Sequence, residues 1–214
     1  MNTRNPTLQH PLPGTCLKGW RRQFSRPTGA LGWAVGHLMA FKNRHRSQWV
    51  IALLGPKPAD HVLEIGFGSG ADIRRVSKIA RDGFVAGIDH SEVMVRQAGR
   101  RNAAAIQTGR VELKQASMSA IPYPDETFDK VFSINSFQFA PNPMDVLEEM
   151  RRVLKAGGLI AIAVRPPARD ATAETSHQTG EALVQGLTAS GFSQVRVESK
   201  RMKPVPAVCA MGIK

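Results

Sequence analysis

One stretch constrains this chain more than any other: Val62-Leu63-Glu64-Ile65-Gly66-Phe67-Gly68-Ser69-Gly70. It reads as a buried strand that ends in a turn of alternating glycines, with a helix beginning at once beyond it. Glycines at such a turn accept positive φ and let the backbone approach a ligand closely. The first turn of the helix leaves backbone N–H groups without intrahelical partners. The next apolar strand, Phe84 to Ile88, ends in an acid, Asp89. A carboxylate at that point can accept bonds from both hydroxyls of a ribose. The pattern therefore predicts a site for a nucleoside-containing cofactor.

Two cofactors fit the glycine turn. Gly66, Gly68 and Ala71 loosely satisfy the dinucleotide fingerprint, and Asp89 stands at a suitable distance beyond them. Glu64, two residues before the first glycine, favours a different ligand. A pyrophosphate would be repelled by that carboxylate, whereas the ammonium of a methionine tail, or the water around it, would be anchored. The broad 66, 68, 70 spacing and the order of the downstream elements point the same way, to S-adenosylmethionine. A nicotinamide-dependent reductase is the competing enzyme reading.

From Asp60 onward the chain resembles small bacterial class I S-adenosylmethionine-dependent methyltransferases of the ubiquinone/menaquinone-methyltransferase-like group. The resemblance rests on Glu64 to Gly70, on Gly87-Ile88-Asp89-His90-Ser91, on Ala116 to Tyr123, on Leu154-Lys155-Ala156-Gly157-Gly158, and on Ser190-Gly191-Phe192 before Val195-Arg196-Val197. It implies a Rossmann-like, doubly wound α/β fold with a mainly parallel seven-stranded sheet, a final antiparallel strand and an N-terminal helical lid. It also implies cofactor contacts from Glu64, Gly66, Phe67, Gly68, Gly70, the ribose acid Asp89, His90 at the adenine, Ser117 and Met118, and Asn135 at the methionine end, with S-adenosylhomocysteine as product. The chain departs from the family at Ser117, where relatives often carry Asp, and at Gln138, near which many carry His. Gln138 cannot act as a base.

Strands and helices alternate after residue 60. Strands are expected at 61–66, 84–89, 111–116, 128–134, 159–164, 194–200 and 206–212, with helices at about 70–81, 91–105, 143–154 and 175–190. Such alternation implies a parallel sheet covered on both faces. Three units are expected: a flexible N-terminus over 1–18, a helical substrate-lid segment over 19–58, and the methyltransferase domain over 59–214. Trp33, His37 and Gln138 are candidates for the acceptor side, and His37 and Tyr123 are the candidate catalytic groups.

The formal net charge is +12, and no acid precedes Asp60. That asymmetry suggests an anionic surface or substrate, and the basic run over 42–46 makes an anionic membrane surface a candidate partner beside a small-molecule acceptor. A nucleic-acid substrate is disfavoured, because the turn after the fourth strand, Asn135-Ser136-Phe137-Gln138, lacks the Pro-Pro-aromatic element used for base amino groups. Cys16 and Cys209 have no metal spacing, so no metal is expected. No apolar run approaches a membrane span and no signal peptide is expected, so the expected location is cytoplasmic, with peripheral membrane attachment as the variant. Oligomeric state is not legible.

Overall fold

A computed structural model describes residues 44–166 and 171–214. The expected flexible N-terminus, most of the expected lid segment, Trp33 and His37 lie outside the described residues. Helix α1 covers residues 44–54. It is followed by β1 (His61–Ile65), α2 (Ala71–Ile79), β2 (Phe84–Asp89), α3 (Glu92–Arg101), α4 (Ala103–Gln107) and β3 (Val111–Gln115). Then come β4 (Phe128–Ile134), a 3-10 turn (Phe137–Phe139), α5 (Pro143–Val153), β5 (Leu154–Val164), α6 (Ala173–Ala189), β6 (Ser193–Lys200) and β7 (Ala207–Ile213).

The seven strands form one sheet in the order β3-β2-β1-β4-β5-β7-β6. Neighbours from β3 to β5 are parallel, while β7 runs antiparallel to both β5 and β6. Alternation along β1 sends Leu63 and Ile65 to one face and Val62 and Glu64 to the other. Leu63 and Ile65 join a core with Val146, Leu147 and Met150 of α5 and Leu183 and Leu187 of α6. Val62 joins the opposite core, with Val50 and Leu54 of α1, Ile73 and Val76 of α2 and Ala98 of α3. Glu64 therefore lies on the face that α1 and α2 cover.

Element boundaries differ from expectation in two informative places. The helix expected to run over 91–105 breaks at Asn102, whose Nδ2 donates to the Gly70 carbonyl at 3.1 Å and the Ala98 carbonyl at 2.9 Å. A side-chain amide that bonds backbone carbonyls competes with the helix ladder, and here it also fastens α3 to the glycine turn. Strand β5 begins at Leu154, not near 159, because Phe128 pairs with Leu154 before the register shifts between Phe128 and Lys130. Gly157, at φ 74, supplies the irregular backbone inside that strand.

Two helix starts show local encoding. Asn142 caps α5 by accepting the Met144 N–H at 3.2 Å, with Pro143 at the first helical position. Thr172 and Thr175 form a reciprocal capping box on α6. Met150 of α5 is fully buried against the sheet. Met150→Ala is expected to lower unfolding free energy by about 2–5 kcal/mol, measured by urea denaturation, with cofactor affinity unaffected because the side chain is remote from the strand ends described next.

Candidate functional site

The strand order reverses between β1, which leads outward to β2 and β3, and β4, which leads to β5. In open α/β sheets a crevice forms outside the carboxyl ends of the strands at such a switch point. The glycine turn closes this crevice from the β1 side. Gly66 N–H donates to the Ile88 carbonyl at 2.8 Å, which carries the chain past β2. Gly66 takes φ 74, and a Cβ there would stand 1.8 Å from the Ser136 Oγ. The turn after β4 thus fills the space that any other residue at 66 would need. Gly68 differs. Its φ is +51, yet a Cβ built on it meets nothing within 4 Å. Gly68 faces open space, as a backbone cradle for a ligand requires.

Asp89 supports this turn from β2. Its Oδ2 accepts the Gly68 N–H at 2.8 Å and its Oδ1 accepts the Ser91 N–H at 2.9 Å. The carboxylate is buried, and burial raises its pKa above the ordinary aspartate range despite these two bonds and the nearby His90. His90 is half-exposed, with Nδ1 3.6 Å from Asp89 Oδ1. The segment after β3 lies alongside: Ala116 N–H donates to the Asp89 carbonyl at 3.1 Å, and Gln115 Nε2 to the His90 carbonyl at the same distance. Ser117 is exposed, and its Oγ accepts the Ser119 N–H at 3.2 Å. Met118 packs partly against the core.

Glu64 is only 3% exposed, and its Oε2 has no hydrogen-bond partner. Burial first, then the charges of Asp72 and Asp89, push its pKa well above the usual carboxylate range, against smaller opposing effects of Arg75 and the Ile73 N–H. A buried carboxyl oxygen without a partner is costly. It suits a cationic or N–H-bearing ligand group. The open Gly68 and the orphaned Glu64 oxygen together fit the amino-acid tail of a nucleoside cofactor.

The structure brings Glu64, Gly66, Phe67, Gly68, Gly70, Asp89, His90, Ser117, Met118 and Asn135 to this end of the sheet. Phe67 is buried under the turn, beside Gly87. Asn135 has φ 55; its N–H donates to the Ala163 carbonyl at 2.8 Å and its Oδ1 accepts the Arg165 N–H at 3.2 Å. Gln138, in the 3-10 turn, has a buried Oε1 without a hydrogen-bond partner. Tyr123 is placed elsewhere: it packs edge-on against Phe128, the first residue of β4, and donates to Glu112 Oε2 at 2.8 Å. Burial and that bond push its phenol pKa up. The structure gives Tyr123 a packing role beside the first residue of β4, the end opposite the glycine turn.

Several residues escaped the sequence reading. Asp72, in the first turn of α2, accepts the Ser47 Oγ–H at 2.6 Å and pairs with Arg75. Arg101 Nη1 donates to Ser69 Oγ at 2.7 Å and braces the glycine turn from α3. Arg46 sits in a run read as a basic surface, yet it is 3% exposed, between exposed His45 and buried Ser47. An acid in a first helical turn is a legible signal for Asp72. Nothing in the basic run distinguishes Arg46 from Arg44.

A methyltransferase domain model matches residues 63–162. The chain is 34% identical to an uncharacterized methyltransferase, YdaC, of Bacillus subtilis (strain 168), over 84% of this chain and 97% of the relative. The chain belongs to the methyltransferase family. It is an S-adenosylmethionine-dependent methyltransferase of Rossmann-like fold. A 27-O-demethylrifamycin SV methyltransferase of Amycolatopsis mediterranei (strain S699) is 32% identical over 72% of this chain, which spans 58% of that longer relative. A crystal structure of a SAM-dependent methyltransferase from Aquifex aeolicus superposes with a TM-score of 0.62 at 24% identity, over 78% of this chain and 88% of that one. The sequence relatives support the family and the solved structure the fold, and none gives the narrower quinone-type group specific support.

Two expected outcomes follow from the geometry. Asp89→Ala should weaken binding of S-adenosylhomocysteine by about 1.5–3 kcal/mol, the range for a hydrogen bond to a charged group, in a calorimetric titration. Gly68→Ala adds a methyl to open space at positive φ, at a stability cost of about 1 kcal/mol. Thermal unfolding should therefore change little, while cofactor affinity falls more than tenfold.

Proposed function

We propose that this protein transfers a methyl group from S-adenosylmethionine to a small-molecule acceptor by in-line displacement. The observation that carries the reading is the pair of buried carboxylates, Glu64 and Asp89, flanking the open Gly68 at the switch point. Asp89 on β2 is aligned for a ribose, and Glu64 on β1 for an ammonium. When bound, S-adenosylmethionine supplies a methyl carbon already activated by its sulfonium. The protein's part is then to hold acceptor and methyl carbon in line and to exclude water. The turn after β4 offers Asn135, Ser136 and Gln138, none of which is a base at neutral pH. That supports an acceptor that needs little deprotonation, such as an amine, thiol or carboxylate. The buried Gln138 Oε1 supports an acceptor that also presents an N–H or O–H.

A second reading puts the acceptor at an anionic lipid surface. A set of cations from distant segments supports it: Arg44 of α1, Arg165 after β5, and Lys200, Arg201 and Lys203 around the β6–β7 loop. Lys200 Nζ lies 5.9 Å over the Trp49 ring, and Arg165 Nη1 donates to the Lys203 carbonyl at 3.1 Å. No acid occurs in 199–214. This reading takes the association as peripheral and electrostatic; among the described residues no helix is long and apolar enough to cross a membrane. It predicts co-sedimentation with phosphatidylglycerol vesicles at low salt, and none with phosphatidylcholine vesicles or at high salt.

Parallel calorimetric titrations with S-adenosylmethionine, S-adenosylhomocysteine and NADH test the first reading. Binding of both sulfur nucleosides without NADH is expected; binding of NADH alone would overturn it. Cofactor binding should also depend on pH through Glu64. Its raised pKa means that the ligand-free protein loses stability as pH rises from the ordinary carboxylate range towards the raised value. An arriving ammonium favours the ionised form and lowers that pKa, so binding releases a proton and tightens as pH rises through the same window. Glu64→Gln should flatten this dependence, read as the change of affinity with pH and as buffer-dependent binding heat.

A further inference from the structure

Strand pairing brings three segments together at the carboxyl ends of β4 and β5. Ile134 of β4 pairs with Ala163 of β5, so Asn135 and Arg165 leave the sheet close to one another. The Arg165 N–H donates to Asn135 Oδ1 at 3.2 Å and fastens the end of β5 to the turn after β4. Val164 pairs with Val208 of the antiparallel β7, and Lys200 of β6 pairs with Ala207. The loop between β6 and β7 therefore stands at the same end of the sheet. Its Lys203 carbonyl accepts Arg165 Nη1 at 3.1 Å. Arg165 is thus anchored twice, by its backbone to the turn after β4 and by its guanidinium to this loop.

Charge at this place is one-sided. No acid pairs with Arg165 among the described residues, and its side chain makes the one bond to the Lys203 carbonyl. Lys200, Arg201 and Lys203 lie in or beside the loop, and no acid occurs in 199–214. Arg201 and Lys203 are exposed, whereas Arg165 is only partly so, where salt screens a charge less. A guanidinium held in place keeps its remaining N–H groups as a planar fork that matches carboxylate or phosphate oxygens. A flat lipid surface would be met by the exposed cations alone. A partly buried arginine with two anchors suits a discrete anion that reaches in towards the turn after β4. On that turn Gln138 Oε1 is buried without a hydrogen-bond partner, within the same part of the crevice.

We infer that the methyl acceptor is a soluble molecule bearing a carboxylate or phosphate group, and that Arg165 binds this group. The inference rests on the methyltransferase reading of the site and adds to it the chemical class of the acceptor. The anionic group is a handle, and Arg165 is the specificity-determining residue that selects it. Arg201 and Lys203 contribute the field that draws the anion in.

Inorganic phosphate is the probe. It is titrated calorimetrically, at constant ionic strength, into the full-length protein saturated with S-adenosylhomocysteine. The same titration is made with Arg165→Met, Arg165→Lys and Lys78→Met, the last an exposed cation on α2. Saturable phosphate binding is expected, at least tenfold weaker in Arg165→Met, intermediate in Arg165→Lys and unchanged in Lys78→Met. S-Adenosylhomocysteine affinity should be the same in every variant, which also shows that each is folded. Unchanged phosphate affinity in Arg165→Met overturns the inference. An equal loss in Lys78→Met does so as well, because it would reduce the effect to general surface charge. Competition between phosphate and S-adenosylhomocysteine also overturns it, since acceptor and cofactor must be bound together. Arg165-dependent sedimentation with phosphatidylglycerol vesicles, without binding of free phosphate, would assign the anion to a lipid headgroup and overturn the soluble acceptor. Failure of the unmodified protein to bind S-adenosylhomocysteine would instead strike the methyltransferase reading, and the acceptor claim with it.

Discussion

The bond from Gly68 N–H to the Asp89 carboxylate, 2.8 Å across the gap between β1 and β2, is the constraint on which the rest of the site depends. The glycine turn has left the sheet ladder by that point and must be held by something other than strand pairing. Asp89 provides this through one oxygen while its other oxygen caps the approach to α3 at Ser91. One side chain thereby sets the spacing of the turn, the end of β2 and the start of the next helix. The carboxylate is buried to do so, and hydrogen bonds from two backbone N–H groups offset that burial.

Around this bond the two faces of the sheet have different tasks. The face covered by α5 and α6 is an apolar core, with Met150, Val153 and Leu187 fully buried. The face covered by α1, α2 and α3 is apolar deep down but becomes polar towards the carboxyl ends of the strands. There Arg46, Ser47, Glu64, Asp72 and Asn102 are brought together from three helices and a strand. Buried polar groups of this kind fix relative positions strongly when satisfied and are costly when they are not. In this group Glu64 Oε2 and Asn102 Oδ1 are buried without a hydrogen-bond partner.

Much of this was legible in the chain itself. The apolar strand running into Gly66, Gly68 and Gly70, and the acid ending the next strand, specify their own geometry, because strand burial and glycine φ are local properties. The alternation of strands and helices sufficed for the doubly wound sheet, while its antiparallel last strand was implied by the family resemblance. Features that depend on a distant partner were not legible. The break at Asn102 is made by the Gly70 carbonyl, thirty-two positions away. The early start of β5 at Leu154 is made by Phe128 across the sheet. Tyr123 looked available because it follows a loop, yet Glu112 and Phe128 enclose it. Arg46 looked like one basic residue in a solvated run, yet it is buried in the folded chain.

The contact between Gly66 and Ser136 has a consequence for how such a scaffold diversifies. A hydroxyl occupies the space where a side chain at 66 would otherwise project, so the glycine turn and the first step of the turn after β4 behave as one solid piece. Bulk added at 136 would displace the glycine turn directly. Beyond that junction Phe137 is buried in the core while Phe139 is exposed, so the outer residue of the 3-10 turn is the one that can be exchanged without the sheet registering the change.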